Sequence, residues 1–249
     1  MSEDRFAALD TRLFEFVPSS TTDDDRRSLL ALHDSIAARG EFSYLEIGSH
    51  LGGSLQPALV DPRCVRVVSI DPRPQAQPDD RPHLGEVAYT GNSTARMLEN
   101  LRGVPGADLS KLETVEESTE NLEPDAFAPP DFCFIDGEHT NQAALRDARF
   151  CRAVMRGVGV IAFHDSYAVE EGVLTFLRET PRPHRAYSLR SSVLVVELGV
   201  ERSPLDNPRV RGQLYRVRRS LAANRVGCDT ALLRISMLAR RARERRRSA

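Results

Sequence analysis

Two short polar clusters combine residue types that bind cations and transfer protons. Asp136 ends the apolar run DFCFI, and His139 follows three positions later in DGEH. His164 and Asp165 follow the run VIAF. Neighbouring strands lie about 4.8 Å apart, so the carboxylates of Asp136 and Asp165 can converge on one hard cation such as Mg²⁺. The alternative is a pair of capping aspartates beside a hydrogen-bonded histidine.

A third cluster is the glycine-bearing run EIGSHLGGS, residues 46–54, which follows the apolar residues SYL. Glycines let the backbone approach a ligand and take up positive φ angles. Glu46, at the end of the predicted strand, can hold a cationic or hydroxyl group. The dinucleotide fingerprint GxGxxG is absent, because Gly48 is followed by Gly52 and Gly53. The alternative interpretation is an ordinary strand–helix turn.

Asp71 ends a second apolar run, VRVVSI, about 20 residues beyond the first glycine. An acid at that separation is typical of groups that bind ribose hydroxyls. Taken alone, an aspartate after a strand is more often a cap or turn residue. Together with the glycine run, it favours ribose binding.

Strands that alternate with helices must position these clusters. The pattern predicts an α/β fold with a parallel sheet, helices on both faces and an antiparallel edge made by two closing strands. In such a sheet, ligands bind beyond the carboxyl ends of the strands, where all four clusters lie. Residues 72–82 are rich in Pro, Asp and Gln and are predicted to form a loop.

Composition is ordinary for a folded protein, with 41% apolar and 28% charged residues among 249. No run of 18 apolar residues predicts a membrane span, and the polar, acidic start lacks the features of a secretory signal. The four cysteines form no CxxC pair, so a cysteine zinc site is not expected. Reduced thiols in a cytoplasmic protein are the simplest interpretation.

Charge is distributed unevenly, and it suggests three segments. From Arg209 onward, thirteen arginines face only Asp229 and Glu244. We expect an N-terminal helical segment over residues 1–40, a catalytic domain over 41–203 and a basic helical extension over 204–249. The extension could pack on the acidic body or on a twin subunit as a homodimer, lie on an anionic membrane surface or contact nucleic acid. Nucleic acid is disfavoured because Tyr215 is the only aromatic residue there.

The four clusters, in this order, resemble a known family. The run YLEIGSHLGG followed by SIDP resembles the first two motifs of class I S-adenosylmethionine-dependent methyltransferases. The later runs FIDGEHT and IAFHDS resemble a subgroup with metal-assisted sugar and macrolide O-methyltransferases and cephalosporin-hydroxylase-like proteins. The resemblance spans about residues 44–198 and implies a doubly wound, mostly parallel, seven-stranded Rossmann-like sheet.

The resemblance also implies which residues bind S-adenosylmethionine. Residues around Gly48 would line the methionine part of the cofactor, with Glu46 beneath it, and Asp71 would take the ribose hydroxyls. Glu117 and Ser118 would flank the adenine, although residues 90–93 compete for a place near the cofactor and a solvated turn is an equal alternative. The full set of expected cofactor-binding residues is Glu46, Gly48, Ser49, Gly52, Ser54, Asp71, Glu117, Ser118 and Asp136.

The expected reaction is methyl transfer to a hydroxyl group of a small molecule, such as a sugar or natural product. His139 is the candidate general base, since an alcohol must lose its proton and a histidine titrates near neutral pH. Asp136, His164 and Asp165 are the expected ligands of Mg²⁺ or Mn²⁺. The resembling enzymes carry an acid where this chain has His164, and an imidazole suits Mn²⁺, Fe²⁺ or Zn²⁺ better than Mg²⁺.

Three other functions fit the same residues less well. A nicotinamide-dependent oxidoreductase is opposed by the missing GxGxxG. A cofactor-binding or partner-binding protein without catalysis is a second alternative. A nucleic-acid methyltransferase is suggested only by the basic extension.

Overall fold

A computed structural model describes residues 2–81, 84–181 and 184–215. Its main feature is a seven-stranded sheet in the order β5-β2-β1-β6-β7-β9-β8. All neighbours pair in parallel except β9, which is antiparallel to both β7 and β8. The order reverses between β1 and β6, which is where ligands bind in open α/β sheets. The predicted mostly parallel, seven-stranded sheet is confirmed.

The inner strands are short and mostly buried, as expected for a sheet covered on both faces, whereas β5 at one edge has no fully buried residue. Their apolar residues include many β-branched and aromatic side chains, which pack well on a pleated surface. The sheet consists of β1 (Phe42–Ile47), β2 (Cys64–Ile70), β5 (Leu112–Val115), β6 (Phe132–Ile135), β7 (Gly159–Phe163), β8 (His184–Ser188) and β9 (Leu194–Leu198).

Helices flank this sheet, and several begin at side-chain caps that the sequence provides. Thr22 and Asp25 form a capping box at the start of α2, Ser93 caps α4 and Thr140 caps α5. The helices are α1 (Ser2–Ala7), α2 (Asp23–Ala37), α3 (Gln56–Val60), α4 (Thr94–Arg102), α5 (Asn141–Val154), α6 (Glu170–Glu179) and α7 (Pro208–Gly212).

A hairpin replaces part of the loop predicted over residues 72–82. The strands β3 (Ala76–Asp79) and β4 (Gly85–Ala88) pair antiparallel as a separate two-stranded sheet. Pro78 is tolerated because a two-stranded ribbon consists only of edge strands, where a missing amide hydrogen need not break a ladder. The hairpin touches the loop after β6, through a hydrogen bond of 2.9 Å from the Asp80 amide to the His139 carbonyl.

The hydrophobic core forms two clusters, one on each face of the sheet. The first contains residues of α1, α2, β1, β2 and α4 together with Leu205 and Val210. The second lies between the sheet and helices α5 and α6. The N-terminal helices and the start of the extension therefore pack in the same cluster as the strands.

The extension is described only up to residue 215. Its described part contains a 3₁₀ turn, Pro204–Asp206, followed by α7. The predicted basic helix, and with it the membrane-surface and homodimer hypotheses, lies outside the described residues. None of the described helices has the length and apolar character needed to cross a bilayer. Cys64, Cys133 and Cys151 are buried free thiols.

Candidate active site

The glycine turn after β1 lies against the loop after β6 at the reversal of strand order. Gly48 has a φ of +86°, and a Cβ there would overlap the backbone of Asp136 and Gly137. The Asp136 amide donates a hydrogen bond of 2.9 Å to the Ile47 carbonyl. Only glycine fits this close approach, so Gly48 brings the ends of β1 and β6 into direct contact.

Glu46 lies fully buried beneath this turn. Ser54 donates a hydrogen bond of 2.5 Å to Oε1 of Glu46, and the Tyr44 hydroxyl donates one of 2.6 Å to Oε2. Burial raises the pKa of Glu46 to about 8, against the lowering effect of these two hydrogen bonds. Glu46 and Ser54 therefore support the turn from below.

Asp71 ends β2 and is tied to the glycine turn and to Arg73. Its carboxylate accepts hydrogen bonds of 2.8 Å from the His50 amide and 2.8 Å from the Arg73 amide. The buried Arg73 guanidinium lies 3.2 Å from Asp71 and donates to Oγ of Ser49 at 3.0 Å. The sequence analysis did not identify Arg73, since an arginine after a strand gives no local signal for burial.

The other two predicted turn residues serve the packing of the turn. Ser49 is buried and shares a hydrogen bond of 2.6 Å with Ser69. Gly52 has a φ of +87° and lies against Met97 and Leu101 of α4, whose side chains would have to shift to admit a Cβ. They hold the turn in place from the side of α4.

A cleft of about 250 Å³ opens beside Gly48 and Asp71, between the ends of β1, β2 and β5. Glu117 and Ser118 line it, and the Glu117 carboxylate accepts hydrogen bonds from the Ser118 amide at 2.8 Å and from Asn121 at 2.9 Å. The cleft therefore adjoins the residues expected to flank adenine.

The inner wall of the cleft carries a polar group that the sequence analysis did not identify. Asp147, on α5, is buried and accepts hydrogen bonds from Thr119 and, at 3.0 Å, from Arg146. Burial raises the pKa of Asp147, which Arg146 and Thr119 oppose. In the sequence, Asp147 fits the ordinary polar face of an amphipathic helix, so its position gave no sign of a role in the cleft.

A second centre of charged residues lies on the other side of Asp136. One ligand atom each of Asp136, His139 and His164 fall within 4.8 Å of one another. His164 Nδ1 is 2.8 Å from Asp136 Oδ1, and His139 Nε2 is 3.8 Å from the same oxygen. Among the described residues, His139 Nε2 and both ring nitrogens of His164 are buried without a hydrogen-bond partner. Such donor atoms fit a divalent cation.

Asp165 borders this centre and forms a salt bridge with an arginine side chain of the same chain. Arg81, at the tip of the hairpin, lies 2.9 Å from Asp165 and 2.6 Å from Asp79. His139 Nε2 is 3.4 Å from Oδ2 of Asp165, and its Nδ1 is 3.8 Å from Asp79. The three closest candidate ligands thus include His139, whereas the predicted set contained Asp165 in its place. The hairpin residues had no motif that linked them to the site.

His164 is also approached from below by Asp25 of α2. Its Nε2 lies 3.4 Å from Oδ2 of Asp25. Burial lowers the pKa of His164, but Asp136, Asp165 and Asp25 outweigh this effect and hold the pKa well above its usual value. No role for Asp25 at this site was predicted, because nothing local in the sequence connects it to a residue so distant in the chain.

Comparison with known proteins identifies the fold and the family. Residues 45–166 match the family model described as a methyltransferase domain. Residues 45–166 of this chain therefore form a methyltransferase domain. The match contains the glycine turn, Asp71, the cleft and most of the second centre. Asp79 and Arg81 of the hairpin also lie inside it, whereas Asp25 lies outside.

Solved structures of methyltransferases share the fold at low identity. The O-methyltransferase NovP has a TM-score of 0.55 at 12% identity, covering 80% of this chain and 99% of that one. A protein of Klebsiella pneumoniae proposed to be an O-methyltransferase has a TM-score of 0.50 at 16% identity, with 80% and 90% covered. TomG of Streptomyces achromogenes, in complex with S-adenosylmethionine, has 0.48 at 16% identity, with 79% and 88% covered. No curated protein sequence matches the chain.

Proposed function

We propose that this methyltransferase transfers the methyl group of S-adenosylmethionine to a hydroxyl group of a small molecule. The observation that carries the proposal is the position of the cleft, which adjoins both the glycine turn and the acidic loop after β6. The centre of histidines and carboxylates lies on the far side of that loop. A cofactor site and a proton-accepting site thus share Asp136 as their boundary.

The cleft provides groups for each part of the cofactor. The backbone at Gly48 lines the cleft and would contact the methionine end. Asp71 keeps one acceptor position for a ribose hydroxyl, since a carboxylate offers about four and the protein uses three. Glu117 and Ser118 border the adenine.

His139 is the proposed general base. Its ring is largely buried, with a side-chain exposure of 12%, and Nε2 has no hydrogen-bond partner among the described residues. Nδ1 lies 3.8 Å from Oδ2 of Asp79, and in the tautomer with its proton on Nδ1 the lone pair of Nε2 is free to act as a base. Nε2 then accepts the proton of the acceptor hydroxyl as the oxygen attacks the methyl group.

A divalent cation is proposed to assist this step, with Asp136 and His164 as ligands and Asp165 at the edge of the site. Four carboxylates, Asp25, Asp79, Asp136 and Asp165, surround the two histidines and are opposed by the single guanidinium of Arg81. When bound there, the cation would lower the pKa of a hydroxyl group coordinated to it. Asp136, His164 and Asp165 thereby hold the acceptor close to His139.

The acceptor is proposed to be a sugar or a sugar-bearing natural product, as in the proteins that the FIDGEHT and IAFHDS runs resemble. Tyr167, which is partly buried after β7, borders the second centre together with the hairpin. Both would contact the acceptor. The reaction needs no nucleic-acid partner.

The experiment that tests the cofactor assignment is thermal unfolding with S-adenosylmethionine. A ligand at 100 times its Kd stabilises a protein by about 2.7 kcal/mol. For a domain of this size we expect a rise in Tm of roughly 5–10 °C. NADH is the matched control ligand and should leave the Tm unchanged; a rise with NADH alone would overturn the proposal.

The hydroxyl acceptor is tested next, by transfer of a labelled methyl group to a panel of sugars and glycosylated compounds. Methylation that a chelator abolishes and Mn²⁺ or Mg²⁺ restores would support cation assistance. Methylation unaffected by a chelator would remove the cation from the mechanism while leaving the methyl transfer in place.

A further inference from the structure

Asp25 is a buried acid whose position is set by two separate parts of the chain. Its exposed fraction is 1%, and it occupies the third position of α2. Thr22 donates to Oδ2 from its amide at 3.0 Å and from its hydroxyl at 2.6 Å. Ser192, before β9, donates to Oδ1 from its amide at 3.1 Å and from Oγ at 3.0 Å. These contacts fix the carboxylate beneath the sheet end.

His164 is held between this carboxylate and that of Asp136. Nε2 lies 3.4 Å from Asp25 and Nδ1 lies 2.8 Å from Asp136. His164 itself is only 6% exposed, and Phe134 packs on its ring at 6.0 Å between centroids. The ring is therefore confined on its edges and on its flank.

A carboxylate at one ring nitrogen determines what the other nitrogen can do. A proton on Nε2 is directed at Asp25, so the proton that a bound cation would displace is the one on Nδ1, which faces Asp136. Histidines that bind metals commonly donate their other N–H to a carboxylate, which fixes the tautomer and the ring orientation. The pair Asp25 and His164 has this arrangement.

We propose that Asp25 is a positioning residue for the cation site, holding His164 with Nδ1 available as a ligand beside Asp136. The site then prefers a transition-metal ion such as Mn²⁺, Fe²⁺ or Zn²⁺ over Mg²⁺, because an imidazole nitrogen is among its ligands. This inference rests on the proposed function only for the presence of a cation. It makes a residue of α2, outside the matched methyltransferase domain, part of the site.

The test measures Mn²⁺ binding to the purified full chain. The electron paramagnetic resonance signal of free Mn²⁺ reports the binding, and Mg²⁺ is the competitor. We expect Mg²⁺ to compete weakly. Asp25→Asn should weaken Mn²⁺ binding roughly 10- to 100-fold, the usual effect of removing such a partner. Thr22→Ala is the matched control: it removes the hydroxyl of the capping box, while the main-chain amide of residue 22 and Ser192 still hold the Asp25 carboxylate beside His164, so Mn²⁺ affinity should change less than threefold.

A double-mutant cycle separates positioning from general stability. In a His164→Asp background, Asp25→Asn should cause no further loss of Mn²⁺ affinity, and Mg²⁺ should compete better than in the parent protein. Asp25→Glu is the second variant if Asp25→Asn does not fold, because glutamate also suits the third position of a capping box. It moves the carboxylate by one methylene group, and we expect weaker Mn²⁺ binding with the fold retained.

Four results would overturn the proposal. The first two are that the parent protein binds no Mn²⁺ and that Mg²⁺ binds as tightly as Mn²⁺. The third is that Asp25→Asn and Thr22→Ala lose equal Mn²⁺ affinity. The fourth is that Asp25→Asn lowers Mn²⁺ affinity as much in the His164→Asp background as in the parent protein. S-adenosylmethionine binding is measured on the same samples. Retained cofactor binding with any of these results would reject the role of Asp25 and leave the proposed methyl transfer standing.

Discussion

The main-chain nitrogen of His50 donates a hydrogen bond of 2.8 Å to Oδ2 of Asp71. This bond joins the glycine turn after β1 to the acid that ends β2. His50 has a φ of +43°, an unusual value for a residue with a side chain. The strained turn and the proposed ribose-binding acid are therefore one unit, and each depends on the other.

Asp71→Asn should weaken S-adenosylmethionine binding about 10- to 100-fold. The amide group of asparagine cannot accept from every donor that faces Asp71, and a hydrogen bond to a charged group contributes about 1.5–3 kcal/mol. Isothermal titration with the cofactor measures the effect. Asp108→Asn is the control, since Asp108 accepts from Ser110 in a similar local turn but is exposed and outside the cleft. Equal affinities for the two variants would contradict the ribose assignment.

Gly48→Ala should destabilise the fold more than Gly106→Ala and abolish cofactor binding. Both glycines have positive φ angles, +86° and +78°, so both substitutions carry the backbone strain of about 1 kcal/mol. A Cβ at Gly106 meets nothing within 4 Å, whereas one at Gly48 overlaps the loop after β6. The difference between the two variants in urea unfolding isolates the overlap. A Gly48→Ala variant as stable as Gly106→Ala would show that the two loops can separate at no cost.

Glu46→Gln should flatten the dependence of stability on pH. The folded-state pKa of Glu46 is raised to about 8 from an ordinary value of 4.5, mainly by burial. Between these two pH values the folded protein binds more protons than the unfolded chain. The contribution of Glu46 to stability is therefore greatest below about pH 4.5 and is lost as the pH rises to about 8. Glutamine does not titrate, so this contribution disappears.

The measurement for Glu46 is the Tm of the cofactor-free protein and of the variant from pH 5 to pH 9. Other groups contribute equally to both proteins, so the difference in slope reports Glu46. Parallel Tm curves across this range would mean that Glu46 is ionised in the folded protein at neutral pH.

His139→Ala should lower turnover with an identified hydroxyl acceptor by roughly 10²–10⁴-fold, the usual contribution of a general base. Cofactor affinity should stay within threefold, because His139 lies outside the cleft. His184→Ala is a suitable control, as His184 begins the edge strand β8 at the opposite end of the sheet. A loss of less than threefold in turnover would remove His139 from the role of base.

Much of the sheet could be predicted because buried strands leave a strong local signal. The runs VRVVSI and DFCFI are short, apolar and followed by an acid, and they correspond to β2 and β6. The order of polar clusters placed Asp71 and Asp136 at the carboxyl ends of strands, and the structure has these two strands on either side of β1. These features depend on a few consecutive residues, which is the range over which a sequence pattern can be interpreted.

The parts that escaped prediction depend on contacts between distant residues. The hairpin of β3 and β4 was hidden by Pro78, since a proline normally argues against a strand. Arg81 and Asp25 reach the second centre from elements far away in the chain. Neither lies in a motif, and each has an ordinary local interpretation, as an exposed loop cation and as a helix cap.

The antiparallel strand β9 has a consequence for how the protein can be divided. It pairs with β7 along all five residues from Gly159 to Phe163, yet it lies beyond the matched residues 45–166. A fragment cut to those residues would end with β7 as a bare apolar edge, which is a template for association with other chains. Dissecting the enzyme for expression or for domain exchange therefore calls for a boundary after β9, with α2 retained.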